Sequence, residues 1–247
     1  MNLAGRIHAM HRIWRYRLRT ERNEIAFLLS RDLAGGTLVD VGAHKGAWVH
    51  WMSRKAGPGG RVVAFEPQPE LFDYLGALKK ALRWGNVDLE PLALSSEEGS
   101  ATLSRTRHWG GASLESLGEE ARADEIETFS VGLTTLDRYL AGHPELPPVR
   151  FIKIDVQDHE LAVLQGASGV LREAGPALLF ECCDHVWNRG EVDAFLREQG
   201  YEGRFFHRGD LVPVERLPGL RASIPAPYLN FAYLPSDAWG APSGKSA

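Results

Sequence analysis

The sequence predicts an α/β protein built on a doubly wound sheet of about seven strands, mostly parallel with an antiparallel C-terminal strand. Short apolar runs alternate with amphipathic helical segments along most of the chain. The first apolar run, residues 37–41, breaks at Gly42 and restarts as a helix near Gly46. A strand, a glycine loop and a helix in this order present backbone N–H groups to a ligand. The length of 247 residues suits one large α/β domain.

Composition and charge narrow the class of protein. The chain is 44% hydrophobic and 24% charged, as expected of a soluble globular protein, and its net charge of −4 gives no reason to expect nucleic-acid binding. The two cysteines, Cys182 and Cys183, are neighbours that point to opposite faces of a strand, so we expect no structural disulfide and a cytoplasmic location. There is no signal-peptide core and no long apolar run, so no stable membrane insertion is expected.

Residues 1–36 are predicted to form a helical segment that precedes the domain. Between Arg6 and Arg22 there are six arginines and two histidines, and apolar residues at positions 7, 10, 14 and 18 follow helical spacing. This amphipathic basic helix could contact a membrane surface or an anionic substrate. The favoured interpretation is a cover helix that packs its apolar stripe on the domain. A second helix, about residues 21–31, leads to the first strand.

The domain itself is predicted to span residues 37–234, followed by a flexible tail, 235–247, rich in Ser, Gly, Pro and Ala. Residues 106–116, which include His and Trp beside a glycine pair, are predicted to form a loop; a lid or substrate-contact role is one interpretation and a disordered segment is the other. The predicted strands cover 37–41, 61–66, 87–94, 101–104, 127–131, 151–156, 177–182, 201–208 and 228–234. The predicted helices cover 47–55, 69–84, 135–140, 160–173 and 191–199.

Four acidic residues stand at strand ends: Asp40, Glu66, Asp155 and Glu181. The carboxyl ends of parallel strands form one rim, where open α/β sheets bind their ligands. Glu66, at the end of the second strand, is placed to accept hydrogen bonds from both hydroxyls of a ribose. Converging acids can also form a metal site, but no H-x-H or H-x₃-H pair accompanies them, so no catalytic metal is predicted.

The glycine pattern indicates which nucleoside ligand is favoured. A dinucleotide fingerprint needs a second glycine that lets the backbone approach a pyrophosphate, and His44 occupies that position. This disfavours pyrophosphate and favours S-adenosylmethionine as cofactor. Leu94, at the end of the third strand, is predicted either to meet the adenine ring or simply to pack in the core. Lys153 and Asp155 are costly in a buried strand unless they are paired or used.

Several stretches resemble the FkbM-type methyltransferases, in the right order over roughly residues 37–185. They are residues 39–46, 64–69, 93–95, 135–137, 152–156, 164–167 and 180–181. The resemblance implies a class I S-adenosylmethionine-dependent fold, usually with O-methyltransferase activity. It implies that Asp40, Gly42 and Gly46 line the methionine part of the cofactor and that Glu66 holds its ribose. The full set of predicted cofactor-binding residues is Asp40, Gly42, Ala43, His44, Gly46, Glu66, Pro67, Leu94 and Asp155.

The predicted function is methyl transfer to a hydroxyl of a small molecule, sugar or glycan. Candidate general bases are Asp155, His159 and His185, with Lys153 orienting Asp155. Two departures from the family pattern put substrate identity and activity in question: His44 replaces a common Asn, and Gln157-Asp158 replaces a common Glu-Gly. The alternatives are a cofactor-binding module that no longer catalyses and a nicotinamide-dependent oxidoreductase, the latter weakened by His44 and a missing third glycine. The sequence indicates no oligomeric state.

Overall fold

A computed structural model describes residues 1–106, 112–113, 126–187, 189–224 and 226–239. Its strands are β1 (Thr37–Val41), β2 (Arg61–Phe65), β3 (Val87–Glu90), β4 (Leu92–Leu94), β5 (Gly99–Thr106), β6 (Ala112–Ser113), β7 (Ile126–Thr134), β8 (Val149–Ile154), β9 (Ala177–Cys183), β10 (Tyr201–His207), β11 (Asp210–Pro213) and β12 (Tyr228–Pro235). Its α-helices are α1 (Leu3–Arg15), α2 (Arg22–Ser30), α3 (Ala47–Ala56), α4 (Pro69–Leu82), α5 (Leu136–Ala141), α6 (Glu160–Gln165), α7 (Ser168–Ala174), α8 (Asp184–Trp187), α9 (Glu191–Glu198) and α10 (Leu217–Leu220).

The central sheet has eight strands in the order β11-β10-β12-β9-β8-β1-β2-β3. The five strands from β9 to β3 pair in parallel, whereas β12 is antiparallel to both β9 and β10. This confirms the predicted doubly wound sheet and its antiparallel C-terminal strand. The eighth strand, β11, extends the edge through a two-residue hairpin at Arg208 and Gly209, where both residues have positive φ.

Both faces of the sheet are covered, so alternate residues of each strand enter different cores. On one face Leu38 of β1 and Phe151 of β8 pack with residues of α1 to α4. On the other face Val39 and Ile152 pack with α5 to α7 and α9. All five residues of β1 are buried, as expected for a central parallel strand.

The prediction of a single third strand is wrong, because part of it belongs to a second, four-stranded sheet with the order β4-β7-β5-β6. Residues 87–94 were expected to form one strand, but the chain divides at Pro91, which has no N–H to donate. β3 stays in the main sheet, and β4 instead pairs with β7 in the second sheet. The strands predicted at 101–104 and 127–131 are present and longer. Most of the predicted loop at 106–116 lies outside the described residues.

The single helix predicted over residues 160–173 is in fact two helices, α6 and α7, separated at Gly166. A Cβ on Gly166 would lie 2.0 Å from the carbonyl oxygen of Ser95, so only glycine allows this close approach. The new helix start is capped by Asp137, whose carboxylate accepts hydrogen bonds from the N–H groups of Gly169 at 2.6 Å and Val170 at 2.9 Å.

The N-terminal segment packs on the domain, but through a different face from the predicted one. Ala9 and Ile13 are buried against the sheet's helical layer, whereas Ile7, Trp14 and Leu18 of the predicted stripe are exposed. The helix is fixed in this orientation because Trp51 Nε1 donates to the carbonyl oxygen of Ile13. A π-helical turn, residues 16–20, joins α1 to α2.

The C-terminal end also differs from the predicted tail. β12 continues to Pro235, and residues 236–239 form a short 3₁₀ turn. Trp239 in this turn stacks under the Arg204 guanidinium, 4.1 Å from its ring centroid, and donates from Nε1 to the carbonyl oxygen of Glu202. The remaining residues of the predicted tail, 240–247, lie outside the described part of the chain.

Candidate active site

A cavity of about 480 Å³ opens at the carboxyl ends of β1, β2, β8 and β9. Its volume falls in the range of small-molecule sites, and its position is where doubly wound sheets bind ligands. The strand ends contribute Val41, Phe65, Ile154 and Phe180 to its wall. The cavity therefore lies at the rim that the four acidic strand ends predicted.

The loop after β1 runs directly over the end of β8. Gly42 has a φ of 82°, and a Cβ there would lie 2.1 Å from the carbonyl oxygen of Asp155. The N–H of Asp155 donates in turn to the carbonyl oxygen of Val41 at 3.0 Å. Two strand ends are thus held in direct backbone contact, and glycine is required at position 42 for that contact.

Glu66 connects the end of β2 to the same loop. Its Oε2 accepts a hydrogen bond from the N–H of His44 at 2.7 Å, and its Oε1 accepts one from the N–H of Gln68 at 3.0 Å. The side chain is almost fully buried in the cavity wall, and burial raises its pKa in spite of these bonds. Each carboxylate oxygen has a second lone pair, so the group can still accept ligand hydroxyls.

Lys153 lies between two carboxyl groups beneath the cavity. Its Nζ is 3.0 Å from Asp155 Oδ2 and 3.8 Å from Asp40 Oδ1. Burial works against the charge of Lys153, but attraction to Asp155 and Asp40 outweighs it and raises the lysine pKa. For Asp155, burial is outweighed by the Lys153 charge and hydrogen bond, so its pKa is lowered. The ion pair between Lys153 and Asp155 therefore offsets the free-energy cost that was expected for charged groups in a buried strand.

Asp40 is the exception within this cluster. It is completely buried, and neither carboxyl oxygen has a hydrogen-bond partner among the residues that the structure describes. Burial raises its pKa to about 7, because the charge of Lys153 offsets only part of the desolvation. Asp40 does not itself line the cavity but lies behind Lys153, which does.

The opposite end of the cavity is apolar and comes from the second sheet. Leu92, Leu94 and Leu103 form this part of the wall, with Pro67 beside them. Leu94 is 2% exposed within the main core and also lines the cavity, whereas its contact with an adenine ring stays a prediction. Leu103 was not predicted, because it reaches the cavity only through the pairing of β5 with β7.

Two residues that were predicted to bind the cofactor, Ala43 and Gly46, support the loop after β1 and do not line the cavity. Ala43 donates from its N–H to the carbonyl oxygen of Phe65 at 3.0 Å, and Gly46 packs at the start of α3 against Leu75. His44 does line the cavity; burial, and then the neighbouring charge of Lys45, lower its pKa to about 4.

The three candidate general bases differ in where they lie relative to the cavity. His159 lines the cavity and its Nε2 is 3.0 Å from Ser95 Oγ, a contact that orients the ring. Asp155 also lines the cavity, with Oδ1 held 3.5 Å from Gln157 Nε2. His185 belongs to α8, and its side chain lies outside the described part of the structure.

The N-terminal segment, for which a substrate contact was one of the two interpretations, supplies residues to the site that the sequence analysis did not name. Tyr16, Thr20 and Glu21 line the cavity, and the Glu21 carboxylate accepts a hydrogen bond from Trp48 Nε1. Glu181 and Asn230 complete this end. The one sequence signal was Glu21 itself, the first acidic residue after a long basic stretch.

The charge balance of the wall is negative. Within the described part of the chain, the cavity is lined by four carboxyl groups, those of Glu21, Glu66, Asp155 and Glu181, and by the ammonium group of Lys153. Burial, together with repulsion from Asp155 and Glu21, raises the pKa of Glu181 to about 7. Such a wall favours a ligand that carries positive charge.

The residues that the structure describes contain no group of three or more His, Cys, Asp or Glu side chains placed to hold a metal ion. Within the same residues, no helix is both long enough and apolar enough to cross a membrane.

The sheet topology is that of the class I methyltransferase fold, and solved structures of that class superpose on this chain. FkbM from Methylobacillus flagellatus KT superposes with a TM-score of 0.53 at 12% identity, over 95% of this chain and 56% of that one. SMU.1697c from Streptococcus mutans, solved in complex with SAH, superposes with a TM-score of 0.51 at 12% identity, over 87% of this chain and 97% of that one.

The sequence comparison then gives the family. The methyltransferase FkbM domain matches residues 40–202, and the chain belongs to this family, as its motifs predicted. A hexuronic acid methyltransferase, AglP, from Haloferax volcanii is 29% identical over 167 residues, covering 67% of this chain. The match spans 64% of the Haloferax protein's length.

Proposed function

We propose that this protein binds S-adenosylmethionine in the cavity and transfers its methyl group to a hydroxyl of a small molecule, sugar or glycan. The observation that carries the proposal is the position of Glu66. Its carboxylate lies in the cavity wall at the end of β2, held by the N–H groups of His44 and Gln68. An acidic residue fixed at this place in a doubly wound sheet is suited to bind the hydroxyls of a ribose.

The charge of the wall also fits this cofactor. S-adenosylmethionine has a sulfonium and an ammonium group against one carboxylate, so it brings a net positive charge. Four carboxyl groups against Lys153 favour such a ligand. The same carboxyl groups disfavour the pyrophosphate of a nicotinamide dinucleotide. The His44 side chain, in the loop after β1, disfavours it as well. The apolar wall formed by Leu92, Leu94 and Leu103 fits the adenine ring.

The proposed acceptor is a hydroxyl compound that enters at the end lined by Tyr16, Thr20 and Asn230. Hydroxyl and amide groups of this kind can hydrogen-bond a polyhydroxylated molecule. The name of the Haloferax relative, a hexuronic acid methyltransferase, supports a sugar acceptor.

Bound S-adenosylmethionine would supply an electrophilic methyl group, and the chain's own residues would position the acceptor oxygen behind it. Positioning of this kind contributes on the order of 7–11 kcal/mol. A general base that removes the hydroxyl proton adds roughly 10²–10⁴-fold. We assign this role to His159, because its ring lines the cavity and is oriented by Ser95. Asp155, held by Lys153, then positions the reacting groups.

The test is calorimetric titration of the purified protein with S-adenosylmethionine, S-adenosylhomocysteine and NAD. Micromolar binding of the two sulfur ligands without binding of NAD is the expected result, and binding of NAD alone would overturn the proposal. Turnover with a panel of hydroxylated acceptors, including uronic acids and neutral glycosides, then tests catalysis. Binding without turnover on any acceptor would favour a cofactor-binding module.

A further inference from the structure

We propose that the N-terminal helix is a docking surface for an anionic lipid bilayer. The evidence is an unusual concentration of exposed apolar side chains. Among the described residues, the exposed large hydrophobic side chains are those of Met1, Leu3, Ile7, Trp14, Leu18 and Tyr228. Five of these six lie in the first eighteen residues. The most exposed are Leu3 at 71%, Ile7 at 63% and Leu18 at 60%.

These side chains form one stripe on the helix. With 100° per residue, Leu3, Ile7 and Trp14 fall within an arc of about 40°. Leu18 follows four residues after Trp14, in the π-helical turn. The buried residues Ala9 and Ile13 lie about 120° from the centre of this arc. The stripe therefore faces mostly away from the domain, and of its residues Trp14 contacts the core, through Trp51.

The charges around the stripe identify the partner. The first twenty residues contain five arginines and no Asp or Glu, although the whole chain has a net charge of −4. Arg6, Arg15 and Arg19 are exposed, and on the helical wheel Arg6 and Arg15 flank the stripe on opposite sides, about 80° and 100° from its centre. An apolar face bordered by cationic side chains is the pattern of a helix that lies in the interface of an anionic membrane.

The remaining two arginines of these twenty residues contact aromatic side chains of the domain. Arg12 donates to Tyr74 Oη at 3.3 Å, and Arg17 lies over the ring of Trp51 at 5.2 Å from its centroid. Trp14 packs edge-on against Trp51 at 5.2 Å while staying 47% exposed. Tryptophan in this half-exposed setting is typical of membrane interfaces.

A second copy of the chain fits the surface less well. A two-fold interface built on this stripe would bring the arginines of one copy beside those of the other, and like charges in an interface oppose association. A phospholipid headgroup layer instead supplies the negative charge that the stripe lacks. Tyr16 and Thr20 of the same segment line the cavity, so the docking surface and the candidate active site share this segment of the chain.

The experiment is co-sedimentation of the full chain with vesicles of phosphatidylcholine alone and of equal parts phosphatidylcholine and phosphatidylglycerol. We expect binding to the anionic vesicles at low salt and at least tenfold weaker binding to the neutral ones. The variant L3S/I7S/L18S removes the stripe, and R6Q/R15Q removes two flanking charges; each should weaken binding about tenfold or more. R172Q/R216Q makes the same charge change at exposed sites elsewhere and should bind as the wild type.

Thermal unfolding and Trp14 fluorescence provide two further measurements. The substituted side chains are exposed, so thermal unfolding of all variants should match the wild type. Trp14 emission should be quenched by vesicles with brominated acyl chains, and the W14F variant should lose that quenching. The proposal fails if the wild type ignores anionic vesicles or if L3S/I7S/L18S binds them normally. It also fails if the wild type is a dimer that the same substitutions convert to a monomer, since a second copy then covers the stripe.

Discussion

Asp40 Oδ1 lies 3.8 Å from Lys153 Nζ, too far for a hydrogen bond, in a part of the sheet that excludes solvent. The nearer partner of Lys153 is Asp155, at 3.0 Å. The lysine therefore stabilises the Asp155 charge more than the Asp40 charge. The protein has a buried carboxyl group whose ionisation is opposed by its surroundings, directly beneath the proposed cofactor site.

This relationship predicts how stability depends on pH. The pKa of Asp40 is raised from 3.8 to about 7 in the folded protein, so its contribution is fully present below pH 3.8 and is lost as pH rises through about 7. Asp40→Asn removes the ionisation. We expect the variant to be more stable than the wild type by on the order of 4 kcal/mol at pH 8, with the difference shrinking toward pH 5. Urea unfolding at both pH values measures this; an equal difference at both would rule out the ionisation argument.

Glu66 allows a direct test of the ribose assignment. Glu66→Ala should weaken S-adenosylmethionine binding more than tenfold, because the ligand hydroxyls lose their acceptor and the N–H of His44 loses its partner. Glu145→Ala, at an exposed site outside the cavity lining, is the control and should bind normally. Calorimetric titration gives both affinities. Unchanged affinity in the Glu66 variant would show that the ribose lies elsewhere.

Gly42 is predicted to be irreplaceable for reasons of space. In Gly42→Ala the new methyl group meets the Asp155 carbonyl oxygen at 2.1 Å, so the end of β8 must move. We expect a loss of about 2–4 kcal/mol in the free energy of unfolding, together with weaker cofactor binding. Gly76→Ala is the matched control, because no atom lies within 4 Å of its Cβ position and it sits inside α4. That change should stabilise the protein by about 0.5–1 kcal/mol.

The loop after β8 contains two consecutive residues in the left-handed region, Gln157 at φ 54° and Asp158 at φ 74°. FkbM-type proteins commonly have glycine at the position of Asp158, which this conformation explains. Non-glycine side chains disfavour this backbone conformation, so the loop is strained at both residues.

The strain at Asp158 can be measured by comparing two variants that both lack the carboxylate. Asp158→Gly should be more stable than Asp158→Ala by about 1 kcal/mol, because only glycine adopts positive φ freely. At the exposed helical site Arg172 the order should reverse, with alanine more stable than glycine. Urea unfolding of the four variants is sufficient. The same order at both sites would contradict the proposed strain.

Features encoded within a few neighbouring residues could be predicted from the sequence. The strand, loop and helix from Thr37 to Ala56 and the acidic strand ends follow from local apolar runs and glycines. The Lys153–Asp155 pair was indicated by the cost of burying charge in a strand. The family motifs cover this same part of the chain.

The remaining features depend on contacts between distant parts of the chain. Tyr16 and Thr20 reach the cavity only because α1 packs through Ala9 and Ile13 rather than through its more hydrophobic stripe. Helical spacing shows that a stripe exists but not whether the domain covers it. The contact between Asn230 Nδ2 and Glu24 Oε1, at 3.3 Å, likewise joins residues from opposite ends of the sequence.

The identity of the general base can be decided by the pH dependence of turnover once an acceptor is found. Burial is outweighed by the Lys153 ammonium, which lowers the pKa of Asp155, so a rate governed by Asp155 should persist well into the acid range. A histidine base is inactive once its imidazole is protonated, so a rate governed by a histidine should fall on the acid side and give the pH profile an acid limb.

Variants distinguish His159 from the other candidates. His159→Gln should lower kcat by roughly 10²–10⁴-fold and remove the acid limb of the profile. Ser95→Ala should have a smaller effect and keep the limb, because Ser95 only orients the ring through its contact at 3.0 Å. Cofactor affinity, measured in parallel, should be unchanged in both. If the limb persists in His159→Gln and disappears in His185→Gln, the base is His185, and the second histidine of the sequence prediction replaces the first.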